Sequence, residues 1–176
     1  MRSGRAQGFA LIDLIFVCGI IGLLCGIALP RLLLARQSAG SAAAIGSMRG
    51  INSAELTYAL TCGSGFYAPN LTTLGVPPPG SNEPYLSPGL TGSNSVIKSG
   101  YTITVDGAPF AGSPPTCNGL AGGQSAQGFR SGADPVDPVN PRFFASNASG
   151  SIYEDNATLF AAMPEVGQPT QGHPLR

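Results

Sequence analysis

Asp13 sits in the run GFALIDLIFVCGIIGLLCGIALP, residues 8–30, in which every other residue is apolar or small. An ionisable group in such a stretch is costly to place in lipid and marks a functional position that asks for a partner. The chemistry open to it is pairing with a cation. A carboxylate and an ammonium each lose hydration in a low-dielectric bundle, and good mutual geometry offsets that loss, whereas either group alone costs several kcal/mol. A pair of this kind sets the axial register of packed helices, as a buried polar residue does in a coiled coil.

The cysteines form two sets. Cys18 and Cys25 lie inside the apolar run, where a free thiol behaves as a small hydrophobe, and no lipobox precedes either. Cys62 and Cys117 lie in polar, Gly-rich surroundings without the close CxxC spacing of zinc or redox sites. In an exported domain they read as a disulfide. Closing so long a loop would stabilise the fold by roughly 4 kcal/mol on the chain-entropy estimate. Catalytic signatures are not found: no GxSxG elbow, Walker loop, HExxH or EF-hand pattern occurs, so the chain is not expected to be an enzyme. The lone histidine, His173, reads as a solvated residue in a Pro-rich tail. Asn70, Asn147 and Asn156 begin N-x-S/T triplets, which short Asn/Ser/Thr-rich loops produce by chance.

Composition narrows the class. Of 176 residues only 10% are charged, with nine basic groups balancing nine acidic ones, so no clustered basic surplus for nucleic acid is present. Apolar residues concentrate before residue 35; beyond it Gly, Pro, Ser, Thr and Asn dominate, as suits a loop-rich extracellular domain. The length fits one domain, or one domain with an anchor.

What positions Asp13 is a helix. Residues 9–29 have the length needed to span a bilayer core. Thirteen of these 21 are Leu, Ile, Val or Phe, worth together roughly −4 to −8 kcal/mol on the insertion scale against about +3 for a central aspartate. Insertion wins. Gly19, Gly22 and Gly26 fall on spacings of three and four, and Gly22 with Gly26 forms a GxxxG element that lets helices approach closely. Pro30 cannot donate to the carbonyl at Gly26 and is expected to kink or unwind the helix there. Arg2 and Arg5 on one side are matched by Arg31 and Arg36 on the other, so charge does not set orientation.

The basic leader MRSGRAQG, then Phe9, an acid four residues later and a proline after Leu29 together resemble a type IV prepilin signal. The resemblance in motif covers residues 2 to about 61. It implies cleavage by a prepilin peptidase after Gly8, N-methylation of the new terminus Phe9, and a role for Asp13 in facing the terminal amine of a neighbouring subunit. The family usually has glutamate where this chain has Asp13, one methylene shorter. The resemblance further implies unwinding of residues 22–30 in the filament, with Gly22, Gly26 and Pro30 as its determinants. Its implied partners are other copies of the chain, minor pilins, an inner-membrane assembly platform and membrane lipid, with no nucleic acid. The implied location is the inner membrane for the precursor, single-pass with the C-terminal domain outside the cytoplasm, and then an extracellular or periplasm-spanning filament. Related pseudopilins hold calcium in loops near the position of ADPVDPVNP, making Asp134, Asp137 and Asn140 calcium candidates; an extended, solvated segment is the alternative reading. No other cofactor is expected.

Beyond Pro30, residues 31–61 read as a continuing amphipathic helix with Ile45, Met48, Ile51, Glu55 and Tyr58 recurring at three and four, stopped by Cys62 and Gly63. Gly40, Gly46 and Gly50 weaken it. Asn70 and Gly75 bracket one helical turn, and VPPPG and SNEPYLSPG read as surface loop. YTITVDG is the cleanest strand, GFRSGA a further one, and RFFASNASGSIYED a hairpin turning at residues 147–150. Phe66, Tyr67, Tyr101, Phe143, Phe144 and Tyr153 are expected in the core or at subunit contacts. The expected fold is α+β: a long N-terminal helix on a small antiparallel sheet of three or four strands with a disulfide, similar to the pilin fold. Its parts are a leader (1–8), a membrane or filament-core helix (9–30), an amphipathic helix (31–61), a loop-rich β domain (62–163) and a flexible tail (164–176).

Three functions follow from this reading. The first is a structural subunit of a type IV pilus-like filament. The second is a pseudopilin of a type II secretion system. The third is a secreted or anchored binding protein that never polymerises; in that class, GIA at residues 26–28 passes as a signal-peptidase site.

Overall fold

The computed structural model describes residues 11–175. One α-helix, α1 (Leu11–Thr61), runs through two compact units, Met1–Ala39 and Gly40–Arg176. In the first unit the described part of α1 is solvated along its length, with side chains such as Leu11 and Ile12 more than 70% exposed. Gly19, Gly22 and Gly26 have nothing within 4 Å of where a Cβ would stand, so they leave an open face. Pro30 lies inside the helix, and residues 22–30 are helical. The unwinding expected there is therefore not seen in this chain.

In the second unit α1 turns amphipathic. Ser41, Ala44, Met48, Ile51, Ala54, Glu55, Tyr58 and Ala59 are buried at spacings of three and four. Gly40 is needed where the helix meets the β1–β2 turn, because a Cβ there would come within 2.8 Å of the Ser99 carbonyl oxygen. The helix ends at Thr61, and the Cys62 and Gly63 amides both donate to the Tyr58 carbonyl. Gly63 serves by its lack of a side chain, since the Phe66 carbonyl occupies the place of its Cβ.

Against this stripe lies an antiparallel meander of six strands in sequential order: β1 (Ser95–Lys98), β2 (Tyr101–Asp106), β3 (Arg130–Pro135), β4 (Phe143–Asn147), β5 (Ile152–Asp155) and β6 (His173–Pro174). The alternation in β2 buries Tyr101, Ile103 and Val105 and leaves Thr102, Thr104 and Asp106 half-buried. The buried three join Ala44, Met48, Ile51, Ala133, Phe144 and Ile152 in the main core. Ser99 and Gly100, both at positive φ (52° and 81°), make the tight turn between β1 and β2. Two short helices precede the sheet: α2 (Leu71–Leu74), capped as expected by Asn70, whose side chain accepts from the Thr73 amide, and α3 (Pro88–Thr91).

The sheet is larger than the three or four strands expected. The β1 residues SVIK do not alternate apolar with polar and sit in a loop-like stretch, and β6 is a two-residue His-Pro strand no propensity would mark. The segment from Pro164, expected as a flexible tail, makes specific contacts with the sheet. Leu175 N–H donates to Ile152 O, and Asn147 Nδ2 donates to the Pro164 and Gly167 carbonyls at 2.8 and 2.7 Å. Residues 156–167 cross the outer face of the sheet, where Leu159 and Met163 pack with Ala145 and Tyr153 in a second core. Gly132 makes room for this belt: a Cβ there would lie 2.8 Å from Phe160. The composition of the tail is polar, but its backbone groups find specific partners, and that is what orders it.

Candidate functional site

Two regions carry the candidate chemistry: the first unit's helix and the disulfide-closed end of the second. Asp13 is in the first turn of α1 as described and is exposed, among side chains (Leu14, Ile15, Phe16) that are also exposed. Gly8 and Phe9, the expected processing site, lie outside the described residues. The helix is long and apolar enough to cross a membrane, and the apolar window that qualifies it is unburied throughout. Ile15, Phe16, Gly19, Ile20 and Leu23 line a shallow apolar notch of about 440 Å³, centred where Gly19 lacks a side chain. Cys18 and Cys25 are free thiols on the same exposed helix.

Cys62 and Cys117 form the disulfide, with Cα atoms 4.9 Å apart and a sequence separation of 55. It ties the end of α1 to the long loop between β2 and β3. Hydrogen bonds reinforce the join: Asn118 N–H donates to Cys62 Sγ at 3.1 Å, Cys117 N–H to Cys62 O at 3.3 Å, and Asn118 Nδ2 to Thr73 O at 3.1 Å. Phe66 stacks on Phe110 beside this end, with ring centroids 5.8 Å apart and planes at 14°. Tyr101 and Phe144 lie in the main core 5.7 Å apart.

The calcium candidates do not offer a shared ligand set. Asp134 accepts from the Thr158 hydroxyl at 2.7 Å, Asp137 Oδ1 accepts from the Val139 amide, and Asn140 turns inward, donating to Tyr101 Oη and accepting from the Arg142 amide. Among the described residues no group of three or more His, Cys, Asp or Glu is placed to hold a metal ion. His173 is exposed in β6, opposite Glu154 in the pairing with β5.

One acid has a setting that its place in the apolar stripe signals but does not explain. Glu55 is wholly buried. Its Oε2 accepts from the Ala68 amide at 2.9 Å, and its Oε1 has no partner. Burial pushes its pKa up to about 8, against the smaller opposing pull of the Ala68 N–H. Three residues further along, Tyr58 is raised too, chiefly by burial; its hydroxyl lies near Thr116 and Ser125 without meeting either at hydrogen-bond geometry.

No family model, curated protein or solved structure matches this chain at a significant level.

Proposed function

We propose that the chain is a filament-forming subunit of the type IV pilin and pseudopilin kind, made with a leader, inserted in a membrane, processed after Gly8 and polymerised through the first unit of α1. The observation that carries this reading is the pairing of roles within one helix. Residues 11–34 present Leu, Ile, Phe and Val side chains that nothing in the described chain covers, while residues 41–59 are committed to a disulfide-closed antiparallel sheet. Large exposed apolar surface is stable only against lipid or other copies of like surface. Asp13 separates those two fates. In lipid it is a cost; against the terminal amine of a neighbouring Phe9 it becomes half of a satisfied pair, so the helix exchanges lipid for a bundle in one register. The open faces at Gly19, Gly22 and Gly26 allow the close helix approach such a bundle requires.

Terminal mass spectrometry on protein sheared from cells, together with an Asp13→Ala variant, tests the reading. A mature chain starting at N-methylated Phe9, and a variant that inserts in the membrane but yields no filaments, are the expected results. A chain starting at Leu29, or filaments unchanged in the variant, would sink it in favour of a non-polymerising secreted or anchored protein.

A further inference from the structure

Three buried oxygens at the disulfide-closed end of the domain, Glu55 Oε1, Tyr58 Oη and Ser125 Oγ, have no hydrogen-bond partner among the described residues. Few such atoms survive in a native interior without a reason. Glu55 is the consequential one, because it can carry a full charge. A buried carboxylate is stable when it is paired with a cation or accepts several hydrogen bonds. Glu55 accepts one, from Ala68, and no ion pair among the described residues includes it; the two that occur are Arg130–Asp106 and Arg142–Glu154.

Among the described residues, the titratable groups named around it are tyrosines, which bring no positive charge. Tyr58 lies one turn along α1 and feels the Glu55 charge; Tyr85 packs edge-on against Tyr58 at 5.4 Å; Tyr67, on the segment Glu55 holds, turns to Phe129 instead. Burial raises its pKa and the Ala68 N–H opposes that rise. The fold therefore suits the neutral acid, whose carbonyl oxygen takes the Ala68 hydrogen bond.

What Glu55 holds is specific. Ala68 lies in the segment that leaves α1 at Cys62, passes through Ser64 and Gly65 at positive φ, and enters the cap of α2 at Asn70. We propose that Glu55 is a protonation-controlled latch: as a neutral acid it helps hold segment 63–69 on α1, beside the Tyr67–Ala126 backbone pair and the Gly65 N–H to Ala59 O bond, and loss of its proton shifts that segment towards an opened, hydrated state while the Cys62–Cys117 disulfide keeps its base attached. The latch belongs to the folded domain and operates whether or not the chain polymerises.

The sign follows from linkage. The closed state keeps a proton up to a pKa of about 8, whereas the opened state releases it at the ordinary glutamate value of 4.5. Between those values each pH unit favours opening about tenfold, and the effect levels off above the closed-state pKa.

Amide exchange and infrared spectroscopy on the full chain in detergent micelles test this. The opening constant at Ala68, after division by the intrinsic exchange rate, should rise about tenfold per unit across that window and then flatten. Glu55→Gln should give a flat profile. At pH 7 the wild type should show the carbonyl stretch of an un-ionised carboxylic acid that the variant lacks. A pH-independent opening constant in the wild type, equal slopes in both proteins, or no un-ionised acid at neutral pH would each overturn the proposal. Should Glu55→Gln fail to fold, the wild-type exchange profile and infrared titration decide alone.

Discussion

Opening the Cys62–Cys117 bond is the perturbation whose cost is best defined by the geometry. The bond closes a separation of 55 residues, and chain entropy assigns to that loop about 4 kcal/mol of stabilisation through the unfolded state. The loop contains α2, α3, β1 and β2, so half the main core is assembled from residues whose separation the bond limits. Against a typical net stability of about 5–15 kcal/mol, that share is large. With a urea dependence of about 2 kcal/mol per M for a domain of this size, the unfolding midpoint should fall by about 2 M. The comparison is between the oxidised protein and a Cys62→Ala/Cys117→Ala variant, full-length in detergent, followed by near-ultraviolet circular dichroism from the buried tyrosines. Cys18 and Cys25 stay in both, so free thiols do not differ. A midpoint shift under about 0.5 M would refute the reasoning, since the open loop would then be constrained already by its own contacts.

Two further outcomes concern the elements that frame this region. Leu159→Ala removes a wholly buried side chain from the outer core, and should cost about 2–5 kcal/mol in urea unfolding. It should also raise amide exchange along β6 before that of β2, because the belt and not the main core is loosened. Asn70→Ala deletes the acceptor for the Thr73 amide and for the Thr72 and Thr73 hydroxyls; a loss of about 1 kcal/mol in the same assay is expected, with the disulfide intact.

How much of this was legible beforehand varies with the kind of signal. The helix from residue 11 to Thr61, the strand at YTITVD, the Asn70 cap and the Cys62–Cys117 bond each left a local or compositional mark: a run of apolar residues, strict alternation, a capping residue, two cysteines in an otherwise polar region. Strand β1 left none because Ser-Val-Ile-Lys sets its two apolar residues side by side instead of alternating, and β6 left none because two residues show no period. The belt was hidden for a different reason. Its order comes from backbone partners far off in sequence, such as Glu165, whose carboxylate accepts from the Ala108 amide and whose carbonyl accepts from the Ala148 amide. Glu55 stood in plain view within the apolar stripe, but only tertiary packing reveals that no ion pair among the described residues includes it.

The open sheet also bears on how many copies of this domain can be crowded together. A meander of six strands has two outer edges, and an exposed edge is a template on which a neighbouring chain can add a strand and begin an aggregate. One edge here is β1, four residues long, ending in Lys98 and running at once into a left-handed turn. The other is β6, two residues long, where Pro174 has no N–H to offer. Neither edge gives an incoming strand a continuous ladder. Copies of the domain brought close together are therefore poorly equipped to exchange strands, and each sheet keeps its hydrogen bonds to itself.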